Sequence, residues 1–314
     1  MAEVNGEKTL NDIIENIEKV IVGKRQAVEL ALISLLSKGH ILIEDMPGVG
    51  KTSLAASLAK SVDCSFKRIQ FTPDIMPSDI TGFSMYNQKS GEFEYISGAV
   101  MGQFVLADEI NRTSPKTQSS LLEVMEENRV TIDGKVYEVP KPFIVMATQN
   151  PIEYLGTYPL PEAQLDRFFM KISIGYPPET DELTILSRFN NSSPLDTLRP
   201  VANDKDILAI QDKVSDVHVD ITVSRYIIEL VRKTRENPYL VLGGSPRATM
   251  CLYRASQARA LLKGRDFVTP DDVLVLTGNI LGHRLILSQE ARLKKMTAGR
   301  IIQDILNNTK VPVI

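Results

Sequence analysis

The sequence predicts an α/β fold: a three-layer αβα core on a parallel sheet, followed by a smaller all-helical domain. Three observations predict it. Short, near-continuous apolar stretches alternate with helical patterns over residues 41–174, as strands do when both faces of a parallel sheet are covered. A glycine-containing turn joins the first of these stretches directly to a helix. Beyond Tyr176-Pro177-Pro178 the strand pattern stops and helical patterns take over. The paired prolines stiffen the chain there, which divides it into a core over residues 1–176 and a helical domain over 177–314.

The elements follow in order. Met1–Val20 is acidic and helical in pattern. Ile41-Leu42-Ile43 is the first buried strand, and Thr52–Lys60, rich in Ala and Leu, is the helix after it. Phe66–Phe71 is the second strand. Phe104–Ala107 is the third, ending in Asp108-Glu109. Phe143–Ala147 is the fourth, ending in Thr148-Gln149-Asn150, and Phe168–Ile174 is the fifth. Residues 81–99 read as a hairpin turning at Lys89-Ser90-Gly91. Ser114-Pro115 opens a helix, with a capping hydroxyl and proline at the first helical position. Residues 129–139 form a second hairpin around Asp133-Gly134, a strong two-residue turn signal. In the second domain, helices are expected at Asp206–Val214, Val223–Arg235, Arg247–Lys263 and Pro270–Arg284. A loop lies at Asn190–Pro194, and a last helix with a short tail begins near Lys295. Pro246 places Arg247 in the first turn of its helix, where it can face a ligand.

The turn Glu44-Asp45-Met46-Pro47-Gly48-Val49-Gly50-Lys51-Thr52 carries the chemistry. Between strand and helix, the glycines of the Pro47–Ser53 loop let successive N–H groups of Gly48–Ser53 wrap a polyphosphate, and the helix N-terminus adds partial positive charge. Lys51 would reach the β- and γ-phosphates and the Thr52 hydroxyl would ligate Mg²⁺. Asp45 occupies the position of the usual first glycine. Ligands of open parallel sheets bind beyond the carboxyl ends of the strands, where Asp108, Glu109 and Asn150 stand. Asp108 would hold Mg²⁺ directly or through water, Glu109 would polarise the attacking water, and Asn150 would orient it.

Composition sets limits. With 314 residues, 43% apolar and 24% charged, the chain has the make-up of a globular protein with a sizeable core. A net charge of −3 gives no bulk attraction to nucleic acid or anionic membrane. Neither a transmembrane run nor a hydrophobic signal core is present. Cys64 and Cys251 read as lone thiols of a reducing cytoplasm. His40, His218 and His283 are too scattered for a histidine metal site.

These motifs together resemble an AAA+ ATPase, and more narrowly the MoxR family. The resemblance rests on residues 44–52, Gln70-Phe71-Thr72-Pro73-Asp74, Asp108-Glu109-Ile110-Asn111-Arg112, Ala147-Thr148-Gln149-Asn150-Pro151, Leu160–Phe168 and Gly243–Ala248. Asp45 is usual in that family. The resemblance implies ATP and Mg²⁺ as cofactors, with Ile21, Val22 and Gly23 around adenine, Asn150 as sensor 1 and Arg247 as sensor 2. It makes Arg167 the arginine finger that enters the neighbouring subunit's site, with Arg112 a second candidate. The 81–99 hairpin matches the insert that this branch carries in its second helix, and the 129–139 hairpin would bring Lys135 and Tyr137 toward a central pore. A homo-oligomeric, hexameric ring is implied, with chaperone-like maturation or activation of client proteins and a partner carrying a von Willebrand factor A domain. Two other readings stay open: a nucleic-acid-stimulated motor, which would need a basic pore, and a nucleotide-dependent scaffold, which would have no need of Glu109.

Overall fold

The computed structural model describes residues 6–151, 156–189 and 194–312. Asn190–Ser193 of the expected 190–194 loop, the first five residues of the N-terminal segment and the last two of the tail lie outside the described residues. Five strands, β1 (Ile41–Glu44), β2 (Phe66–Gln70), β3 (Phe104–Asp108), β4 (Ile144–Gln149) and β5 (Met170–Ile172), form one parallel sheet in the order β2-β3-β4-β1-β5. The alternation of side chains along a strand divides the core in two. Ile41, Ile43, Phe104, Leu106, Ile144 and Met146 face one hydrophobic cluster, and Leu42, Val105, Ala107, Val145 and Ala147 face the other. Both faces are therefore covered, which is why the strands read as unbroken apolar runs.

Helices Gly6–Glu18, Arg25–Leu36 and Lys51–Ser61 cover the first face, and Pro115–Glu127 covers the second. The second-domain helices Pro246–Leu262 and Pro270–Leu281 share the first cluster through Leu252, Ala255, Leu276 and Ile280. Helix Pro246–Leu262 packs on Gly6–Glu18 and Arg25–Leu36, and Pro270–Leu281 packs on β5. The C-terminal region is helical as expected; beyond the expected helices it has Glu179–Phe189 and Gln289–Leu293, and Leu240–Leu242 pairs antiparallel with Ile286–Leu287.

Both expected hairpins are present. Gly82–Asn87 pairs with Glu92–Ser97, and Arg129–Ile132 with Lys135–Glu138. The rings of Tyr95 and Tyr137 stack at 4.0 Å between centroids, joining one hairpin to the other.

Register positions the functional residues. At the carboxyl edge Gln70 lies opposite Asp108, and Glu44 opposite Gln149. At the amino edge, Phe169 N–H donates to the His40 carbonyl at 2.8 Å just before β5 and β1 begin.

Candidate active site

Lys51 opens helix Lys51–Ser61 behind Gly50, whose φ of 94° is left-handed and strained for any side chain. Gly48 at φ 83° is the same case. The Lys51 ammonium donates to the Asp45 carbonyl at 2.7 Å, so its charge is held inside the loop. The Asp45 side chain explains the missing first glycine. Its Oδ2 accepts from Ile174 N–H at 2.5 Å, Gly175 N–H at 2.8 Å and Ser173 Oγ at 3.0 Å, and its Oδ1 from Met46 N–H at 3.0 Å. Burial alone would raise its pKa, but these donors outweigh burial and the value is lowered. Asp45 thus clamps the loop to the segment following β5.

A cavity of about 360 Å³ is lined by Pro47, Gly48, Gly50, Lys51, Thr52, Ser53, Arg68, Asp108, Glu109 and Asn150. The loop and all three strand-end residues expected from sequence therefore meet at one place. Asp108 Oδ1 accepts from Thr148 Oγ1 at 2.6 Å and Oδ2 from Arg68 Nη2 at 2.7 Å. Thr148 Oγ1 in turn accepts from Glu109 N–H at 2.9 Å. That bond secures Glu109 at φ 58°, a left-handed conformation rare for a branched or long side chain and common at functional sites. The Glu109 carboxylate is drawn to Gln70 Nε2 at 3.0 Å and to Arg112 Nη1 at 3.2 Å.

A carboxylate and a hydroxyl, Asp108 and Thr52, suit a hard cation. Among the described residues no three His, Cys, Asp or Glu side chains converge, so the remaining ligands of such a cation would be phosphate oxygens and waters. Arg68 covers one Asp108 oxygen.

A second cavity, of about 370 Å³, shares Gly48, Gly50 and Ser53 with the first. Its apolar wall includes Val20, Ile21, Val22, Val49, Pro177, Ile185 and Leu195. Gly23 turns the chain at φ 69°, and a Cβ there would lie 1.7 Å from Asp181 Oδ2. Of the expected Ile21–Gly23 segment, Ile21 and Val22 line this apolar cavity and Gly23 does not, and residues beyond position 176 complete the wall.

Arg167 and Arg247 do not line either cavity. Both reach Glu126 instead. Arg167 Nη2 lies 3.4 Å from Glu126 Oε2 and Arg247 Nη1 lies 3.3 Å from Glu126 Oε1. Glu126 neighbours Met125, whose carbonyl is bonded to His40 at the amino edge of the sheet. Arg167 precedes β5 at the same edge. The cavity lined by Lys51 and Asp108 lies at the carboxyl edge, a strand's length away, about 13 Å for the four residues of β1.

In the sequence Arg68 carries no site role, and Gln70 stands only within a motif. Their spacing of two on β2, an edge strand of the sheet, was the available signal, since it puts both side chains on one face beside Asp108.

Residues 40–170 match the family model described as "ATPase family associated with various cellular activities (AAA)", and residues 232–305 match the AAA lid domain. The chain is 40% identical to Chaperone MoxR1 of Mycobacterium tuberculosis over 98% of this chain and 83% of that protein. The chain belongs to the MoxR family of AAA ATPases. It is also 53% identical to YeaC, an uncharacterised protein of Bacillus subtilis, over 97% of this chain and 95% of the relative. A crystal structure from Cytophaga hutchinsonii superposes with a TM-score of 0.91 at 40% identity, covering 98% and 96% of the two chains. As a MoxR-family AAA ATPase the chain has a nucleotide-binding core followed by a helical lid, and ATP is the ligand its family binds. None of its described helices is long and apolar enough to cross a membrane.

Proposed function

We propose that this MoxR-family chain hydrolyses ATP with Mg²⁺ at the interfaces of a homo-oligomeric, hexameric ring, and uses the turnover to remodel client proteins. The observation that carries this reading is the polarity of the sheet. Lys51, Thr52, Asp108, Glu109 and Asn150 gather at its carboxyl edge, while Arg167 and Arg247 stand together at the opposite edge. On this reading one subunit's loop set and its neighbour's arginines act on the same nucleotide.

Adenine would enter the Ile21–Gly23 slot and the triphosphate would follow the loop, with N–H groups of residues 48–53 and Lys51 on its oxygens. Thr52 and Asp108 would hold Mg²⁺, which when bound would supply charge neutralisation at the phosphates. Glu109 takes the proton of the attacking water once it leaves Gln70 and Arg112, and Asn150 orients that water. The neighbour's Arg167 and Arg247 stabilise charge on the transferring group, a task suited to a fork that is always protonated. Arg112 sits against Glu109 of its own chain, which favours Arg167 as the finger. The core is taken as residues 1–176 and the lid as 177–314.

For clients, the first hairpin exposes Phe83, Met85, Tyr86, Phe93 and Ile96, and its charges are one lysine, Lys89, against Glu92 and Glu94. Such a surface suits an apolar polypeptide better than a phosphate backbone, so protein clients are favoured over nucleic acid. The name of the mycobacterial relative, a chaperone, agrees with this. Family resemblance adds a partner with a von Willebrand factor A domain and a cytoplasmic setting.

The test is a mixed ring. Lys51→Ala should lose ATP binding and Arg167→Ala should lose turnover, each inactive alone. Mixed, they should regain activity at interfaces that pair an intact Lys51 with a neighbour's intact Arg167. Failure at every mixing ratio would rule out action across the interface.

A further inference from the structure

We infer that Asp166 is a positioning residue that fixes Arg167 and Arg247 as one unit, acting through Ser245 and Arg284. The inference rests on the reading that a neighbour's arginines complete the site. Asp166 immediately precedes Arg167, and Ser245 lies two residues before Arg247. Ser245 is the N-cap of helix Pro246–Leu262, its Oγ accepting from Ala248 N–H at 3.3 Å. The single hydroxyl proton goes to Asp166, at 3.0 Å from Oδ2 and 3.2 Å from Oδ1. One carboxylate therefore orients the cap of the helix that carries Arg247 and anchors the turn that carries Arg167.

Arg284 closes the arrangement from the lid. Its side chain is 1% exposed, and Nε donates to Asp166 Oδ1 at 2.7 Å. The other nitrogens donate to the carbonyls of Phe168 at 2.5 Å, Phe169 at 3.3 Å and Asp166 at 3.3 Å, and to that of Ile280 at the end of the lid helix Pro270–Leu281. A buried guanidinium costs stability unless a carboxylate balances it, and Asp166 is that carboxylate. Apolar contacts could join lid to core as firmly, but only a fork of directed donors fixes the backbone of residues 166–169 in orientation as well as position.

The tips are held differently. Glu126 meets both guanidiniums at 3.3–3.4 Å, and all three side chains are at least a third exposed or close to it. Exposed ion pairs of this kind are weak. The two arginines are thus rigid at the base and loosely tethered at the tip. A terminal phosphate with more charge can take both from Glu126 without any movement of the backbone.

The experiment exploits the asymmetry of the interface. Rings are mixed from Lys51→Ala subunits, which donate arginines, and Arg167→Ala subunits, which supply the phosphate site. Asp166→Asn is then added to one partner or the other, with ring mass checked by light scattering. In the arginine donor it should lower the ATPase rate of the mixture by at least about tenfold, because small misplacements of catalytic groups cost rate steeply; in the site-supplying subunit the rate should stay within about twofold of the control. Binding of a fluorescent ATP analogue to the Asp166→Asn single variant should be unchanged, since its own phosphate site lies at the other edge. Should Asp166→Asn fail to fold, Ser245→Ala takes its place in the same design. Equal loss in both partners, or none in either, overturns the inference. If the control mixture lacking any Asp166 change is itself inactive, the reading of a shared site falls, and the inference with it.

Discussion

Asp45 stands where phosphate-binding loops have a glycine, and the structure gives it a reason: one carboxylate oxygen holds the N–H groups of Ile174 and Gly175. Asp45→Ala would leave these donors unpaired beside a loop that also holds Lys51, costing about 3 kcal/mol for the orphaned groups. A lower denaturant midpoint together with weaker ATP binding is the expected result. Glu109→Gln should bind ATP as the parent does and lose turnover by at least about a hundredfold, roughly 3 kcal/mol of barrier, because an amide cannot take the proton of water. Equilibrium binding and single-turnover rates measured side by side check this. At this scale Lys51, Thr52, Asp108 and Glu109 were legible because each lies in a contiguous motif with its own chemistry. The role of Asp45, and the contacts of Arg68 and Gln70 with the acidic pair, depend on which strand lies beside which. Gln70 meets Glu109 because β2 pairs in register with β3, and pairing is not written in either strand alone.

Among the elements, β1 starts at a buried histidine that links three parts of the core. His40 accepts from Val145 N–H at 3.0 Å through Nδ1, and its Nε2 meets the Met125 carbonyl at 2.9 Å. Burial lowers its pKa from 6.5 to about 4; the Met125 bond opposes the shift and the positive charge of Arg247 adds to it. The unfolded chain therefore takes up the proton first as pH falls. Stability should be complete above about pH 6.5 and decline toward about pH 4, with a loss near 2 kcal/mol at about pH 5 from this group. His283 is shifted in the same direction, chiefly by burial, so the check is a comparison of slopes. Thermal melts of His40→Gln should depend less on pH than those of the parent. Both hairpins and the helix starts at Ser114, Pro246 and Pro270 could be read in advance, since turn residues and caps act locally. The pair Leu240–Leu242 and Ile286–Leu287 could not, because strands of three and two residues carry no periodicity. The stacking of Tyr95 on Tyr137 joins two hairpins far apart in sequence and was equally hidden.

For the whole molecule, the alternation of strands and helices predicted the core and its helical sequel, while the docking of one on the other was not legible. The lid helices and the N-terminal helices bury their apolar faces in one cluster, and Arg284 ties the same lid to residues 166–169. The sequence placed Arg247 on the first turn of a helix able to face the nucleotide; in the fold that turn sits beside Arg167 and Glu126, at the amino edge of the sheet. On the proposed reading, in which a neighbour's arginines complete the site, this placement ties catalysis to assembly. The direct measurement is ATPase specific activity against protein concentration, with mass from light scattering on the same samples, for the parent and for Arg167→Ala. Activity should rise as rings form and collapse in Arg167→Ala rings of full mass. A specific activity independent of concentration and of Arg167 would contradict the account, and would mean that each subunit hydrolyses ATP alone.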